Sequence, residues 1–345
     1  MTRRRVSLGI FGFGAAALIV GAFFWPRIAA AGWLIAFVYG SAFPLGALVL
    51  LLIHRLTGGH WGHALQHFLE PLSTLVTILA ALFVPIMIAM PEIFPWTGDS
   101  AQAAANFGTI YLSGPLFIVR AIIAFVVWSV LALTLPHVSS KSGQVLASLG
   151  LLFYVVITSF VATDWILSSG PPFISTSFGA SFIVTQILSA LALAALLGVA
   201  FDEQAVRDLA GLMLATVLGL TYIDFMAVLV IWYGDLPNKS GWFVVRDDSV
   251  WRAIAIVAFV LGSLLPVLAL LFERVRKSRA ALRVVAASIL AGLMFYDAYL
   301  LAPPYGTPAL ASAIVALCVL AAALALTADF GLPLKPLEQR GTAHD

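Results

Sequence analysis

Charge is what this sequence has least of. Asp, Glu, Lys and Arg make up only 10% of its 345 residues, against 62% hydrophobic, and the mean hydropathy is +1.06. A water-soluble globule cannot be covered with so few polar groups, and apolar runs of about 18 residues or more are membrane spans. The only cysteine, Cys318, lies within an apolar run, which excludes intrachain disulfides and cysteine-ligated clusters. Histidine is missing where a membrane-embedded haem would need it. His54, His60, His63, His67 and His137 all fall at or beyond the ends of apolar runs. There is no Cys-x-x-Cys-His, no Gly-rich phosphate loop and no metal-ligand cage, so no metal site and no tightly bound redox centre are expected. No polar stretch is long enough for a soluble domain, and no nucleic-acid partner is expected. Residues 1–345 read as a single membrane domain in a lipid bilayer.

What is present is ten apolar runs, at about 6–25, 32–53, 71–91, 113–135, 145–168, 178–201, 207–233, 250–272, 281–301 and 309–328. Each can cross a hydrocarbon core of about 30 Å at 1.5 Å per residue. The fold class expected is therefore all-α and polytopic. With the N-terminus cytoplasmic, thirteen of the eighteen Lys and Arg residues lie on the cytoplasmic side and four outside, while Arg120 falls within a span. That bias places both termini inside. Arg3-Arg4-Arg5, an apolar run and Ala29-Ala30-Ala31 also suit a signal peptide, but the run of about 20 residues reads better as a retained helix. His60, His63 and His67 share one face of a short stretch expected to lie along the cytoplasmic interface.

The sequence repeats itself. Arg120-Ala-Ile-Ile-Ala-Phe is echoed by Arg252-Ala-Ile-Ala-Ile-Val. Asp164 to Pro172 is echoed by Asp297 to Pro304, and Trp96-Thr-Gly-Asp99 by Trp232-Tyr-Gly-Asp235. The offsets are 132, 133 and 136 residues, in the same order. The unit is four helices, 32–168 and 178–301, with 6–25 and 309–328 as flanking helices. Both units start from the same side, so the two four-helix bundles form a parallel repeat rather than the inverted one common in transporters.

The intramembrane charges gather towards the outer side. Arg120, Arg252, Asp164 and Asp297 form an expected outer polar layer in which opposite charges can pair; it is either a fold-specifying set of ion pairs or a quinol site. Asp224 lies nine residues from the end of its span, about 14 Å in, and has no counterpart in the first repeat. Towards the inner side, Glu70, Thr74 and Thr77 share a helical face. They are either the start of a proton path leading by Thr216 and Tyr222 to Asp224, or a helix-terminal carboxylate with backbone-bonded hydroxyls. The aromatic and acidic turn carrying Trp232, Tyr233, Asp235 and Trp242 is a candidate docking surface for an extracytoplasmic partner.

These residues resemble a known family. Ile231-Trp-Tyr-Gly-Asp-Leu-Pro237 is similar to the Trp-Tyr-Gly-Asn-x-Pro stretch of NrfD/PsrC-like integral membrane subunits. Asp164-Trp165, Ser168, Pro172, Ser175-Thr176 and Gly179, with Tyr111-Leu112, Pro115-Leu-Phe117 and Arg120, resemble segments of the ActF-type subunit of alternative complex III, a quinol:cytochrome c oxidoreductase. Asp235 stands where the family has Asn, Asn238-Lys239 where an acidic pair is common, and Ser113 where Asn precedes the proline. The third outer loop lacks the family's histidines. The resemblance implies ten helices in two bundles, a bacterial cytoplasmic membrane, and partners comprising an iron–sulfur protein, c-type cytochromes and a sister NrfD-like subunit. It also implies a part in quinol oxidation or proton movement, with quinone or quinol the only cofactor to be met. Three readings stand at this point: a membrane subunit of a quinol-oxidising respiratory electron-transfer complex, a structural anchor for extracytoplasmic redox subunits, and a stand-alone transporter with Pro85 and Pro266 as helix breaks.

Overall fold

A computed structural model of the chain describes residues 2–98, 111–138, 140–170, 175–199, 202–234, 237–244 and 246–331; the side chains of 2–5, 140, 237–240 and 327–331 fall outside the description. The described residues are helical, with no strand among them. Among the described residues, ten helices are long and apolar enough to cross a membrane: Val6–Phe24, Pro26–Thr57, His60–Ile88, Gly114–His137, Lys141–Ser169, Phe178–Leu197, Glu203–Tyr233, Ser249–Leu271, Arg279–Leu301 and Pro308–Leu326, numbered below as spans one to ten. The chain is an all-helical, multi-pass membrane protein.

The helix boundaries have local causes. Pro26 opens span two and Pro308 opens span ten, since proline at a helix start forfeits an N–H that would have no partner there. Asp202 caps span seven, accepting from Ala205 N at 2.7 Å, and Ser278 caps span nine, accepting from Ala281 N at 3.3 Å. Gly198 ends span six in the left-handed conformation, φ 70°.

Span three differs from its sequence expectation. The helix begins at His60 rather than near residue 71, so the histidine-bearing stretch is its first turns and not a separate interfacial helix. Pro71 lies in its interior, and the helix restarts at Val76 after a break at Leu75. The proline withdraws a backbone donor. Ser73, Thr74 and Thr77 hydroxyls donate to Glu70 O, Pro71 O and Thr74 O at 2.7–2.8 Å, satisfying carbonyls along the disturbed turn.

Cross-links between distant residues define two ends. Arg27 meets Glu92, Trp96 meets Ser168, Tyr305 meets Ile93, and Arg246 meets Tyr299 and Leu300 at one end, which also carries Trp25, Trp232, Trp242 and Trp251. At the other, Arg55 meets Leu135 and Val138, and His60 faces Asp202 and Asp208 at 3.6 and 3.8 Å. The first is called the tryptophan end and the second the basic end.

Spans two to five pack in a closed ring, two on three, three on four, four on five and five on two; spans six to nine do the same. Spans two and six join the rings, and spans one and ten lie against span two. Span two is therefore 89% buried along its apolar window and span one only 6%. The joint needs small residues. A Cβ on Gly46 would sit 1.8 Å from Gln186 O, so only glycine lets spans two and six approach this closely. Beside it Tyr154 Oη donates to Leu45 O at 3.1 Å and shares a hydrogen bond with the Gln186 amide, tying span five into the same seam.

Candidate functional site

Asp224 of span seven is the centre of the polar groups that converge in the second ring. Ser181 Oγ, near the start of span six, donates to Asp224 Oδ1 at 2.6 Å. The Tyr296 phenol of span nine lines the same space beside this carboxyl. Three spans thus deliver a carboxyl, a hydroxyl and a phenol to one point, in the third of the bundle nearest the tryptophan end.

Span eight shapes the space in front of them. Its helix widens into a π turn at Val260–Leu264, just before Pro266. There Leu265 N–H bonds to Val260 O, leaving Leu261 O to the next N–H along, which would be that of residue 266, a proline with none to give. Ser288 Oγ of span nine donates to Leu261 O at 2.8 Å and satisfies it. At the same level Gly262 meets Gly292 backbone to backbone; a Cβ on Gly292 would lie 2.1 Å from Gly262 N. Replacing Gly292 with Ala is expected to push spans eight and nine apart and destabilise the protein by about 1–3 kcal/mol, the usual range for an overpacked contact. The thermal midpoint of the purified variant in detergent checks this, and an unchanged midpoint would contradict the close contact.

Between spans seven, eight and nine lies a cleft of about 370 Å³. Asp224, Thr221, Ser263, Tyr296 and Tyr299 line it together with apolar side chains and the Gly262 and Gly292 backbones. Phe225, Val228 and Phe259 form exposed apolar lips, so the cleft opens sideways to the bilayer.

The other candidate residues fall elsewhere. Arg120 and Asp164 meet in a two-pronged ion pair, Nε to Oδ2 at 2.7 Å and Nη2 to Oδ1 at 2.9 Å, with Asp164 only 2% exposed. Arg120 Nη1 also donates to Tyr111 O at 3.0 Å, and the guanidinium lies 4.1 Å from the Tyr111 ring centre. Ser168 Oγ donates to Asp164 O at 2.5 Å and accepts from Trp96 Nε1 at 3.1 Å. Every charge in this set is answered from within it, which suits an architectural lock better than an open site.

The second repeat does not copy that pair. Arg252 bonds Asp247 at 2.7 Å, with both side chains exposed, and does not reach Asp297. Arg252 stands three residues after the start of its helix and Arg120 six after the start of its own, so Arg252 is placed about one turn nearer the surface. Asp297 is buried, 4% exposed.

Of the inner polar residues, Glu70 accepts from Gln66 at 2.6 Å and lines a pocket of about 220 Å³ at the basic end with His54, Arg55 and His63. Thr216 Oγ1 donates within its own helix to Leu212 O at 2.6 Å, and Tyr222 points outward, exposed. Tyr222 precedes Asp224 by two residues, about 200° round the helix, so it cannot share its face. No hydrogen bond among the described residues links Glu70, Thr74 or Thr77 to Asp224.

Of the docking candidates, Trp232 and Tyr233 are exposed at the end of span seven, while Asp235 lies outside the described residues. Trp242 is not a free surface. It is buried beneath Arg246, whose guanidinium lies 3.6 Å from its ring centre. Arg246 itself is 4% exposed and donates to Trp242 O, Tyr299 O and Leu300 O at 3.0–3.3 Å. It thereby closes the carbonyl end of span nine, although burial lowers its pKa to about 10. The sequence carried one signal for this arrangement: Trp242 and Arg246 are four residues apart.

No protein-family model matches the chain, and no curated protein matches it.

Proposed function

We propose that this chain is an integral membrane subunit of a quinol-oxidising respiratory electron-transfer complex, and that the Asp224 cleft is where it meets quinol. One observation carries the reading. A carboxyl, held by the buried Ser181 hydroxyl, and the Tyr296 phenol line a mostly apolar cleft of about 370 Å³ that opens to the bilayer, the phase in which an isoprenoid quinol is dissolved. Quinol oxidation releases two protons and two electrons. Asp224 is placed to accept a quinol proton as a general base, and Ser181 to hold the carboxyl in position for it. The electrons pass to a redox partner, for which the iron–sulfur and c-type cytochrome subunits implied by the family resemblance are the candidates.

In this reading the tryptophan end faces the extracytoplasmic side of a bacterial cytoplasmic membrane and the basic end faces the cytoplasm, as the distribution of Lys and Arg favours. The exposed Trp232 and Tyr233 support contact with extracytoplasmic partners at that end. A structural anchor would use the same surface but has no need of the cleft.

Dicyclohexylcarbodiimide couples to protonated carboxyls in apolar surroundings, and it tests the site directly. It is expected to label Asp224 in native membranes, and a quinol-site inhibitor is expected to suppress that labelling at least about tenfold while leaving labelling of the enclosed Asp297 unchanged. Labelling of Asp224 indifferent to the inhibitor would remove the quinol reading. Recovery of the tagged chain from mild detergent with no haem-bearing partner would remove the complex.

A further inference from the structure

A second cavity, far from Asp224, has its own chemistry. Span one touches the rest of the protein along spans two and ten, and between spans one, two and three it leaves a groove of about 450 Å³. Phe11 and Leu18 form one wall, Trp33 the floor, and Leu82 and Ile86 the other wall. Trp33 Nε1 donates to Leu82 O at 3.0 Å, so the indole's polar atom is already used and only its apolar body faces the groove. Phe11 and Pro26 mark the two ends, and the helix rise between them is about 20 Å.

These dimensions choose the occupant. The volume spread over that length gives a section of about 20 Å², which fits one extended hydrocarbon chain. A helix about 10 Å across does not fit. The groove is long enough to take a chain through the full depth of one leaflet of a bilayer with a core of about 30 Å. At its mouth, level with the start of span two, stand Arg27 and Glu92, Nε to Oε2 at 3.4 Å and both reached by solvent. Tyr305 Oη fixes the backbone beside Glu92 by donating to Ile93 O at 2.5 Å.

We propose that this groove is a binding site for a zwitterionic phospholipid with a primary amine head, a phosphoethanolamine lipid. One acyl chain lies in the groove. The phosphate takes charge-assisted hydrogen bonds from the Arg27 guanidinium, and the ammonium donates to Glu92. The existing pair is exposed and long, and such pairs contribute little, so exchanging it for lipid contacts is easy. An anionic head satisfies Arg27 but meets Glu92 with its own charge. A choline head has no N–H to give to Glu92. The lipid fills the gap that leaves span one attached along only one flank.

Native mass spectrometry of the full chain, as extracted in mild detergent with whatever partners accompany it, tests the assignment. Phosphatidylethanolamine, phosphatidylglycerol and phosphatidylcholine of identical acyl chains are added in competition. One phosphatidylethanolamine is expected to be retained, at least about tenfold over either rival. Arg27→Ala is expected to abolish retention of all three, and Glu92→Gln to erase the preference for ethanolamine while a lipid stays bound. Equal retention of the three lipids by the wild-type protein overturns the proposal, a result that does not depend on how the variants fold. Retention of an isoprenoid quinone in place of phospholipid overturns it too, as does preference unchanged in both variants.

Discussion

Asp224→Asn is expected to lower quinol-dependent turnover of the assembled complex by about 100-fold or more, the lower bound usual for loss of a general base. The substitution keeps the shape of the side chain and an oxygen able to accept from Ser181, so yield and thermal midpoint should stay near those of the wild type. The amide cannot take up a proton from quinol, which is the one property removed. Tyr296→Phe is expected to act in the same direction but less, because it removes a polar neighbour of the carboxyl and not the base. The measurement is steady-state quinol:acceptor turnover per assembled complex, with kcat and KM determined separately. A fall in kcat with little change in KM is expected, since the lost step follows binding. If turnover per complex is unchanged, Asp224 has no catalytic part and the cleft is an accident of packing. If the variant fails to assemble while Tyr296→Phe assembles with full activity, the carboxyl is structural.

The ten spans were legible because a bilayer demands about 20 apolar residues in a row, and that signal is local. Asp224 was legible for the complementary reason, a carboxylate where carboxylates are expensive. Its neighbours were not. Ser181 and Tyr296 come from helices 43 residues earlier and 72 later, and helix periodicity does not say which spans touch. Tyr222 and Thr216 are near Asp224 along the chain but not around the helix. At 100° per residue it is Thr221, three residues before Asp224, that shares its face, and Thr221 lines the cleft. The repeat puts Arg252 and Asp297 in the same outer layer as Arg120 and Asp164, yet Arg252 pairs elsewhere. A duplicated sequence sets the order of the helices, but one turn of difference in depth along a helix is enough to send an arginine to Asp247 instead. The π turn was hidden as well. Pro266 announces a disturbance but not its form, which depends on Ser288 of the neighbouring span supplying the missing donor.

Arg120→Met is expected to reduce the yield of folded protein more than any other single change considered, because it strands Asp164. That carboxyl is 2% exposed, and its two oxygens take both prongs of the Arg120 guanidinium. Removing one member of a buried ion pair destabilises by about 3–5 kcal/mol, since the survivor keeps its desolvation penalty without its partner. The pair itself contributes far less, because forming it strips both ions of water. The double substitution Arg120→Met, Asp164→Leu should therefore recover much of what Arg120→Met loses. Asp164→Leu alone should sit between, because Arg120 retains the Tyr111 carbonyl and ring. Thermal midpoints of the four proteins in one detergent give the double-mutant cycle. A double variant less stable than either single one would mean that the pair contributes net stability of its own, and that Trp96, Ser168 and Tyr111 do not suffice to hold that end together. A double variant near the wild type would instead place the role of the pair in specifying how spans four and five meet. That role follows from its geometry: a planar guanidinium with two parallel bonds to one carboxylate accepts only one register between the helices that carry them.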